Sequence, residues 1–223
     1  MTLLRRLTAE TLGTAFLLAT VVGSGIMGER LADGNSGIAL LANSIATGAV
    51  LATLIITFAG ISGAHFNPAV TLIEAFDRRI EWRIAPLYWI AQISGALIGV
   101  VSAHLMFESP LISLSQHTRT GGAQMFSEAV ATFGLIMVIF GSRSYRVPVT
   151  ACTVAAYITG AYWFTASTSF ANPAVTLARS LTDTFSGIRP QDVTGFVGAQ
   201  LIGAMAAMLL FKWLLSTDKT QNQ

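Results

Sequence analysis

The fold of this chain is decided by Ser62-Gly63-Ala64-His65-Phe66-Asn67-Pro68-Ala69-Val70-Thr71-Leu72, whose core returns as Asn172-Pro173-Ala174-Val175-Thr176-Leu177. An Asn-Pro pair starts a helix, because Asn caps free backbone N–H groups and Pro fits the first helical position. Each copy is flanked by long apolar segments, so two short helices are predicted to begin inside a membrane. Three apolar spans separate the copies, which puts them on opposite faces of the bilayer. Two helices that enter from opposite faces meet near its middle, the broken-helix design of a membrane pathway.

The composition supports a membrane protein and excludes several other classes. Of the 223 residues, 53% are hydrophobic and 11% are charged, whereas soluble domains average about 25% charged residues. A net charge of +2 gives no case for a nucleic-acid partner. The one cysteine, Cys152, lies in an apolar run and is expected to be a small buried side chain, which leaves no disulfide framework and no thiolate metal cage. There is no nucleophile–base pair, metal-ligand cluster or phosphate-binding loop, so we expect no enzyme, no cofactor and no metal site.

Six membrane spans of about the required 20 residues are predicted. Their limits are 7–27, 37–60, 84–107, 124–141, 147–167 and 192–215. One short helix follows the first Asn-Pro-Ala copy to about Phe76, and the second loop and short helix occupy 168–182. A cleaved signal peptide is the alternative for the first span, but Glu10 interrupts the run and more spans follow. The polar tail 216–223 is predicted to be disordered.

The distribution of basic residues predicts the orientation in the membrane. With the N-terminus inside, the cytoplasmic segments hold nine Lys and Arg residues and the outer segments hold Arg30, Arg119, Arg179 and Arg189. This excess follows the positive-inside rule. Both termini are therefore expected in the cytoplasm.

The two halves of the chain also resemble each other outside the Asn-Pro-Ala copies. The segment that begins at Glu10 matches the one that begins at Glu128, and Ala91-Gln92-Ile93-Ser94-Gly95-Ala96 matches Ala199-Gln200-Leu201-Ile202-Gly203-Ala204. The same three markers occur twice in the same order. We therefore predict one channel domain over 1–223, built from inverted repeats at about 7–107 and 124–215.

From Glu10 to Gln200 these motifs resemble the major intrinsic protein family, the aquaporins and aquaglyceroporins. The resemblance implies an all-α membrane fold of six transmembrane helices plus two re-entrant half-helices. It also implies one pore per subunit and the usual homotetramer in membrane lipid. The pore motifs that it carries over are Asn67, Pro68, Ala69, Asn172, Pro173 and Ala174.

The physical basis of such a pore can be stated from the residues themselves. Non-helical backbone at membrane depth is tolerated only where protein or a water-filled cavity satisfies it. The carbonyls of 63–65 and 168–170 are therefore expected to line a narrow wet path. The two half-helix N-termini each contribute roughly +0.5 elementary charge, a field that neutral solutes pass and cations do not. The Asn67 and Asn172 amides each offer two donors to a passing oxygen.

Intramembrane Glu10 and Glu128 are costly unless they are partnered. They are either a proton relay or, as the resemblance implies, acceptors of hydrogen bonds from the re-entrant loops. His65 is expected to line the cytoplasmic half of the pore, and His104 and His117 are expected at the interface. Gly95 and Gly99 form a GxxxG pattern, most simply a close helix contact.

The narrowest point of the resembled pore is set by four positions, located here by ungapped counting from the two Asn residues. They are Thr47, Gly160, Ser169 and Val175, all small and uncharged, with Val175 where an Arg is expected. This pattern favours a wide constriction. Phe170 and Arg179 are expected in the pore or its vestibule, where Arg179 either replaces the missing Arg or is an outer cation tied to Asp183.

These observations together predict a passive aquaglyceroporin-type channel in a bacterial inner membrane. The expected cargo is water with small neutral polyols or neutral metalloid hydroxides such as arsenous acid. The alternatives are a water-selective aquaporin, a proton-coupled secondary transporter that uses Glu10 and Glu128, and a non-conducting homologue.

Overall fold

The computed structural model describes residues 1–216, and within them the fold is all-helical. Six helices are long and apolar enough to cross a membrane, and two are short. The predictions of six spans and two half-helices are confirmed. The predicted disorder of the tail falls mainly on 217–223, which lie outside the described residues. The helices are α1 (Leu3–Leu31), α2 (Ser36–Ser62), α3 (Pro68–Phe76), α4 (Ala85–Met106), α5 (Gly122–Ser142), α6 (Val147–Phe164), α7 (Pro173–Arg179) and α8 (Val193–Leu214).

The same three-helix packing occurs twice. In the first half α1 packs against α2 and α4, and in the second half α5 packs against α6 and α8. Contacts between α2 and α6 join the halves, while the short helices α3 and α7 touch each other as well as α4 and α8. The two short helices therefore lie between the halves, where their N-termini can meet.

Glycines allow the central helices of each half to approach closely. A Cβ on Gly95 or Gly99 of α4 would lie 2.2 Å from the Thr11 carbonyl oxygen or 2.3 Å from that of Ala15, both on α1. A Cβ on Gly203 of α8 would lie 2.1 Å from the carbonyl oxygen of Ala129 on α5. The GxxxG pattern is thus a close helix contact, and the second half repeats it.

Several predictions about single elements are wrong. Cys152 is exposed on α6, because an apolar run in a membrane helix faces lipid as well as the protein core. His104 lies two residues before the end of α4, as an interfacial residue would, but it is buried in the protein. Its Nδ1 lies 2.9 Å from the Leu111 carbonyl oxygen and its Nε2 lies 2.7 Å from Thr182 Oγ1. The helix α6 ends at Phe164 rather than Ser167, and α7 ends at Arg179, short of residue 182.

Candidate functional site

The two Asn-Pro-Ala loops meet head to head and are bonded to each other. Each Asn caps its own half-helix: Asn67 Oδ1 accepts from Ala69 N at 2.8 Å, and Asn172 Oδ1 accepts from Ala174 N at 3.0 Å. Each Asn amide also donates to the opposite loop. Asn67 Nδ2 reaches the Ala171 carbonyl oxygen at 2.7 Å, and Asn172 Nδ2 reaches that of Phe66 at 2.8 Å.

This exchange corrects the number of donors that each Asn offers. A side-chain amide carries two N–H donors, and the opposite loop takes one of them in each copy. One N–H per Asn is left for a passing oxygen, half of what the sequence led us to expect.

The loops hold a backbone conformation that side chains disfavour. Ala64 and Phe66 in the first loop have φ of +52° and +49°, and Thr168, Ser169 and Ala171 in the second have φ of +60°, +50° and +48°. Left-handed backbone is uncommon for residues other than glycine and persists where surrounding contacts impose it. The contacts that hold it here come from the two buried glutamates and from two serine hydroxyls, since Ser62 Oγ accepts from Ala64 N at 3.1 Å and Ser167 Oγ accepts from Ser169 N at 3.2 Å.

Glu10 holds the first loop. Its Oε1 accepts from the Ser62 hydroxyl at 2.6 Å and from His65 N at 3.0 Å. Its Oε2 accepts from Phe66 N at 2.7 Å and from Gln92 Nε2 at 2.8 Å. All four partners are donors, as an ionised carboxylate requires.

Glu128 holds the second loop in the same way. It accepts from Phe170 N and Ala171 N, both at 2.9 Å, and from Gln200 Nε2 at 2.6 Å. Gln200 Nε2 also donates to Thr176 Oγ1 at 2.8 Å, as Gln92 Nε2 does to Thr71 Oγ1 at 2.9 Å in the first half. Gln92 and Gln200 therefore support the glutamates in the two halves, whereas the sequence showed them only as part of a repeated segment.

A cavity of about 380 Å³ runs past both loops. It is lined by the two Asn residues, His65 and a wall of apolar side chains, whereas neither supporting glutamate reaches it. Within the described part of the chain, the carbonyl oxygens of 63–65 and 168–170 accept no hydrogen bond. All of these residues except Thr168 line the cavity, and Thr168 lines a second cavity described below. Residues with free backbone acceptors thus lie along the cavity on both sides of the two Asn residues.

His65 lies on this cavity wall as part of the first loop. Its Nδ1 lies 3.0 Å from Thr71 Oγ1, and its ring packs against Tyr88 with the centroids 5.3 Å apart. Both contacts fix the ring beside the path.

Three of the four counted constriction positions line the cavity, namely Thr47, Ser169 and Val175. Gly160 does not: it is exposed, and a Cβ built on it would meet nothing within 4 Å. Tyr162 occupies the wall instead, buried, with its hydroxyl 3.3 Å from Thr47 Oγ1. Two residues turn a helix by about 200°, so an offset of two in the count moved the predicted position to the opposite face. The cavity wall beside Thr47 is therefore not made of small residues alone.

Arg179 is not the cation tied to Asp183 that the sequence offered as one interpretation. The Asp183 carboxylate accepts from Gln116 N at 2.9 Å, and Arg179 forms no ion pair among the described residues. Its side chain is 2% exposed, its Nε donates to the Ser186 carbonyl oxygen, and its guanidinium carbon lies 3.4 Å from the centroid of the Phe170 ring.

A second cavity of about 290 Å³, here called the vestibule, adjoins the first at Arg179. Its lining includes His117 and Arg119, from the connection between α4 and α5, together with Asn43, Thr168 and Phe185. The sequence did not single out Arg119, since one basic residue in a polar connection carries no signal of its own. Tyr162 did leave a signal, because Val154, Ile158 and Tyr162 form an i, i+4, i+8 stripe that lines the first cavity.

Comparison with known proteins places this geometry among membrane channels. A family model described as "Major intrinsic protein" matches residues 1–168. The chain is 53% identical over 213 residues to the aquaglyceroporin AqpS of Rhizobium meliloti (strain 1021), covering 96% of this chain and 91% of that protein. It is 33% identical over 141 residues to the probable aquaporin NIP4-2 of Arabidopsis thaliana, covering 62% and 49%. Its fold matches the X-ray structure of the aquaglyceroporin from Plasmodium falciparum with a TM-score of 0.77 at 20% identity, over 94% of this chain and 96% of that one.

Proposed function

Because the chain belongs to the major intrinsic protein family, we propose that its two Asn-Pro-Ala loops form the path of a passive channel for small neutral polyols and metalloid hydroxides as well as water. The family makes the chain a multi-pass membrane channel for water and small solutes and not an enzyme. What we propose beyond the family is the identity of the solutes, the residues that select them and the orientation of the chain in the membrane.

The observation that carries the proposal is the file of free carbonyl oxygens and Asn amide donors along the cavity. A hydroxylated neutral solute can donate to the carbonyls and accept from the remaining amide N–H of each Asn, which replaces part of its hydration. A cation meets the positive ends of two half-helices at the same place. The apolar side of the cavity offers a polyol carbon chain a surface to slide along.

Glu10 and Glu128 act as loop supports in this proposal rather than as coupling residues. Both are fully buried, neither lines the cavity, and each is surrounded by donors that hold the loop backbone. A proton-coupled transporter would need at least one of them to exchange protons with the path.

A water-selective channel is the second candidate, and the position of Tyr162 favours it. An aromatic side chain in the constriction, where counting had placed a glycine, narrows the path and excludes larger solutes first. His65, Thr47, Ser169 and Val175 complete the wall in either case.

Stopped-flow light scattering on proteoliposomes decides between these candidates. Under the proposal, glycerol and arsenous acid permeate well above the rate of protein-free vesicles, with no dependence on a proton gradient or membrane potential. Water flux alone would establish the second candidate, and uptake abolished by a proton uncoupler would overturn the passive channel.

We place the chain in a bacterial inner membrane, with both termini cytoplasmic and four copies in the assembly. The nine-to-four distribution of basic residues supports the orientation, and the family resemblance supports the tetramer. Protease accessibility of terminal tags in inverted vesicles tests the orientation. Light scattering of the detergent-solubilised protein gives the number of copies.

A further inference from the structure

Two arginines from different parts of the chain lie against one aromatic ring in the second loop. The guanidinium carbon of Arg179, at the end of α7, is 3.4 Å from the centroid of Phe170. That of Arg119, in the α4–α5 connection, is 4.9 Å from the same centroid. Phe170 lines the main cavity next to Ser169, one of the four positions counted as the constriction. Two positive charges therefore lie beside the predicted constriction.

Arg179 has hydrogen-bond donors without a partner among the described residues. Only its Nε has a hydrogen-bond partner among the described residues, the Ser186 carbonyl oxygen. The side chain is 2% exposed and lines both the main cavity and the vestibule. A buried charge needs partners, and here the contents of the two cavities must provide them. Any solute that crosses from the vestibule to the main cavity passes the free end of this guanidinium.

Arg119 is fixed in the vestibule by backbone contacts. Its Nε donates to the Gly187 carbonyl oxygen at 2.8 Å and its Nη1 donates to the Ser167 carbonyl oxygen at 3.1 Å. These two acceptors belong to the segments on either side of α7, so Arg119 bridges the second loop and the chain that leaves α7. Two backbone hydrogen bonds therefore hold the Arg119 guanidinium in the vestibule.

No carboxylate neutralises either guanidinium within the described residues. The nearby Asp192 is occupied, since its Oδ2 accepts from the backbone N of Arg119 and its Oδ1 pairs with Arg189. Burial lowers the pKa of Arg119 to about 10, and the Glu128 carboxylate acts against that shift. Arg119 accordingly keeps its charge at neutral pH.

We propose that Arg119 and Arg179, held on Phe170, form a two-arginine selectivity filter that supplies the positive charge absent at Val175. This inference rests on the proposed channel function. It assigns the exclusion of cations by the channel to Arg179 on α7 and Arg119 in the α4–α5 connection. Arg119 repels cations in the vestibule. Arg179 repels them at the constriction and donates its free Nη hydrogens to the oxygens of neutral solutes.

The test replaces each arginine with glutamine, singly and together, in reconstituted channels. Arg30→Gln is the matched control, because Arg30 also stacks on an aromatic ring, that of Phe107 at 5.3 Å, and donates to a backbone oxygen, but lines neither cavity. Water and glycerol permeabilities are measured by light scattering. Proton leak is measured with a pH-sensitive dye under a valinomycin-clamped potential. Sodium leak is measured with a sodium-sensitive dye in vesicles without valinomycin.

We expect each Gln variant to raise cation leak by at least about tenfold, because at an effective dielectric constant of about 20 a unit charge repels a cation by that factor or more when the two are within about 12 Å. The double variant should leak more than either single variant. The glycerol-to-water ratio should change most in Arg179→Gln. The Arg30→Gln variant should match the wild type in both measurements.

Gln variants that insert and melt normally, yet keep wild-type cation exclusion and solute ratios, would overturn the filter. If a Gln variant does not fold, Arg119→Lys and Arg179→Lys replace it. These keep the charge and lose the planar fork, so they should retain cation exclusion while the glycerol-to-water ratio changes, and a cation leak in folded Lys variants would refute the proposal. A wild-type protein without any neutral-solute flux would instead refute the channel function itself.

Discussion

The support that Glu128 gives to the second loop can be tested by replacing it with glutamine. The substitution keeps the shape of the side chain but puts an NH₂ group where one carboxylate oxygen stood. Glu128 accepts from Phe170 N, Ala171 N and Gln200 Nε2. Whichever way the new amide points, at least one loop N–H faces a donor and is left unpaired.

The magnitude follows from these three bonds. Leaving a buried N–H unpaired costs about 1–3 kcal/mol, and turning two charge-assisted bonds into neutral ones removes about 1 kcal/mol each. We therefore expect Glu128→Gln to lose roughly 3–5 kcal/mol of folding free energy, with a fall in melting temperature on the order of 10 °C for a chain of this size. Glu10→Gln should behave alike, because Glu10 also accepts two loop N–H groups.

The assay is thermal unfolding of the purified protein in detergent. Flux is then measured on each variant that folds and can be reconstituted. Glu29→Gln, at an exposed position near the end of α1, is the control and should melt like the wild type. The supporting role would be refuted if Glu128→Gln melted normally. Flux that depended on a proton gradient in the wild type and lost that dependence in the variant would instead identify a coupling residue.

Further predictions concern the loop, the constriction, a helix contact and the pH range. Asn172→Asp removes the donor to the opposite loop and places a carboxylate at a half-helix N-terminus, so neutral-solute flux should fall or cation leak appear in proteoliposomes; unchanged flux with intact cation exclusion would contradict this. Tyr162→Ala should raise the glycerol-to-water permeability ratio, because the ring lines the cavity beside Thr47, and an unaltered ratio would show that Tyr162 does not restrict the path. Gly203→Ala should lower the melting temperature through overpacking that costs about 1–3 kcal/mol, whereas Gly198→Ala, whose Cβ would meet nothing within 4 Å, should not. Burial raises the pKa of Asp77, but the arginines and lysine that bind it outweigh burial and leave its pKa below the usual value. The stability that depends on the ionised carboxylate is lost as the pH falls through this lowered pKa. Below about pH 4 the melting temperature should therefore fall more steeply with pH for the wild type than for Asp77→Asn.

The sequence was sufficient for the parts of the fold that are local or duplicated. The Asn-Pro pairs determine where the half-helices begin, because capping involves only neighbouring residues. The repeated segments pair Glu10 with Glu128, but the role of the two glutamates as loop supports followed only from the family resemblance, and a proton relay stayed open as the alternative. Both features occur twice, and each copy checked the other.

The constriction could not be predicted as well, because it depends on helix rotation and on long-range placement. Counting backwards from Asn172 crosses the irregular segment 165–171, where the number of residues does not determine the rotation of α6. Gly160 was therefore chosen in place of Tyr162. Arg119 comes within reach of Phe170 only because the α4–α5 connection folds back over the second loop, and this contact spans more than 50 positions in the chain.

The reciprocal amide bonds between the loops also bear on how such a chain could arise. Asn67 donates to a carbonyl of the second half, and Asn172 donates to the equivalent part of the first. A single three-span unit cannot make this bond within itself, but two identical units related by a twofold axis in the membrane plane satisfy both bonds at once. Two such units would close the centre as separate chains, and joining them in one chain would add the freedom for each half to differ. Arg119 and Arg179 are differences of this kind, because both lie in the outer part of the second half or its connection.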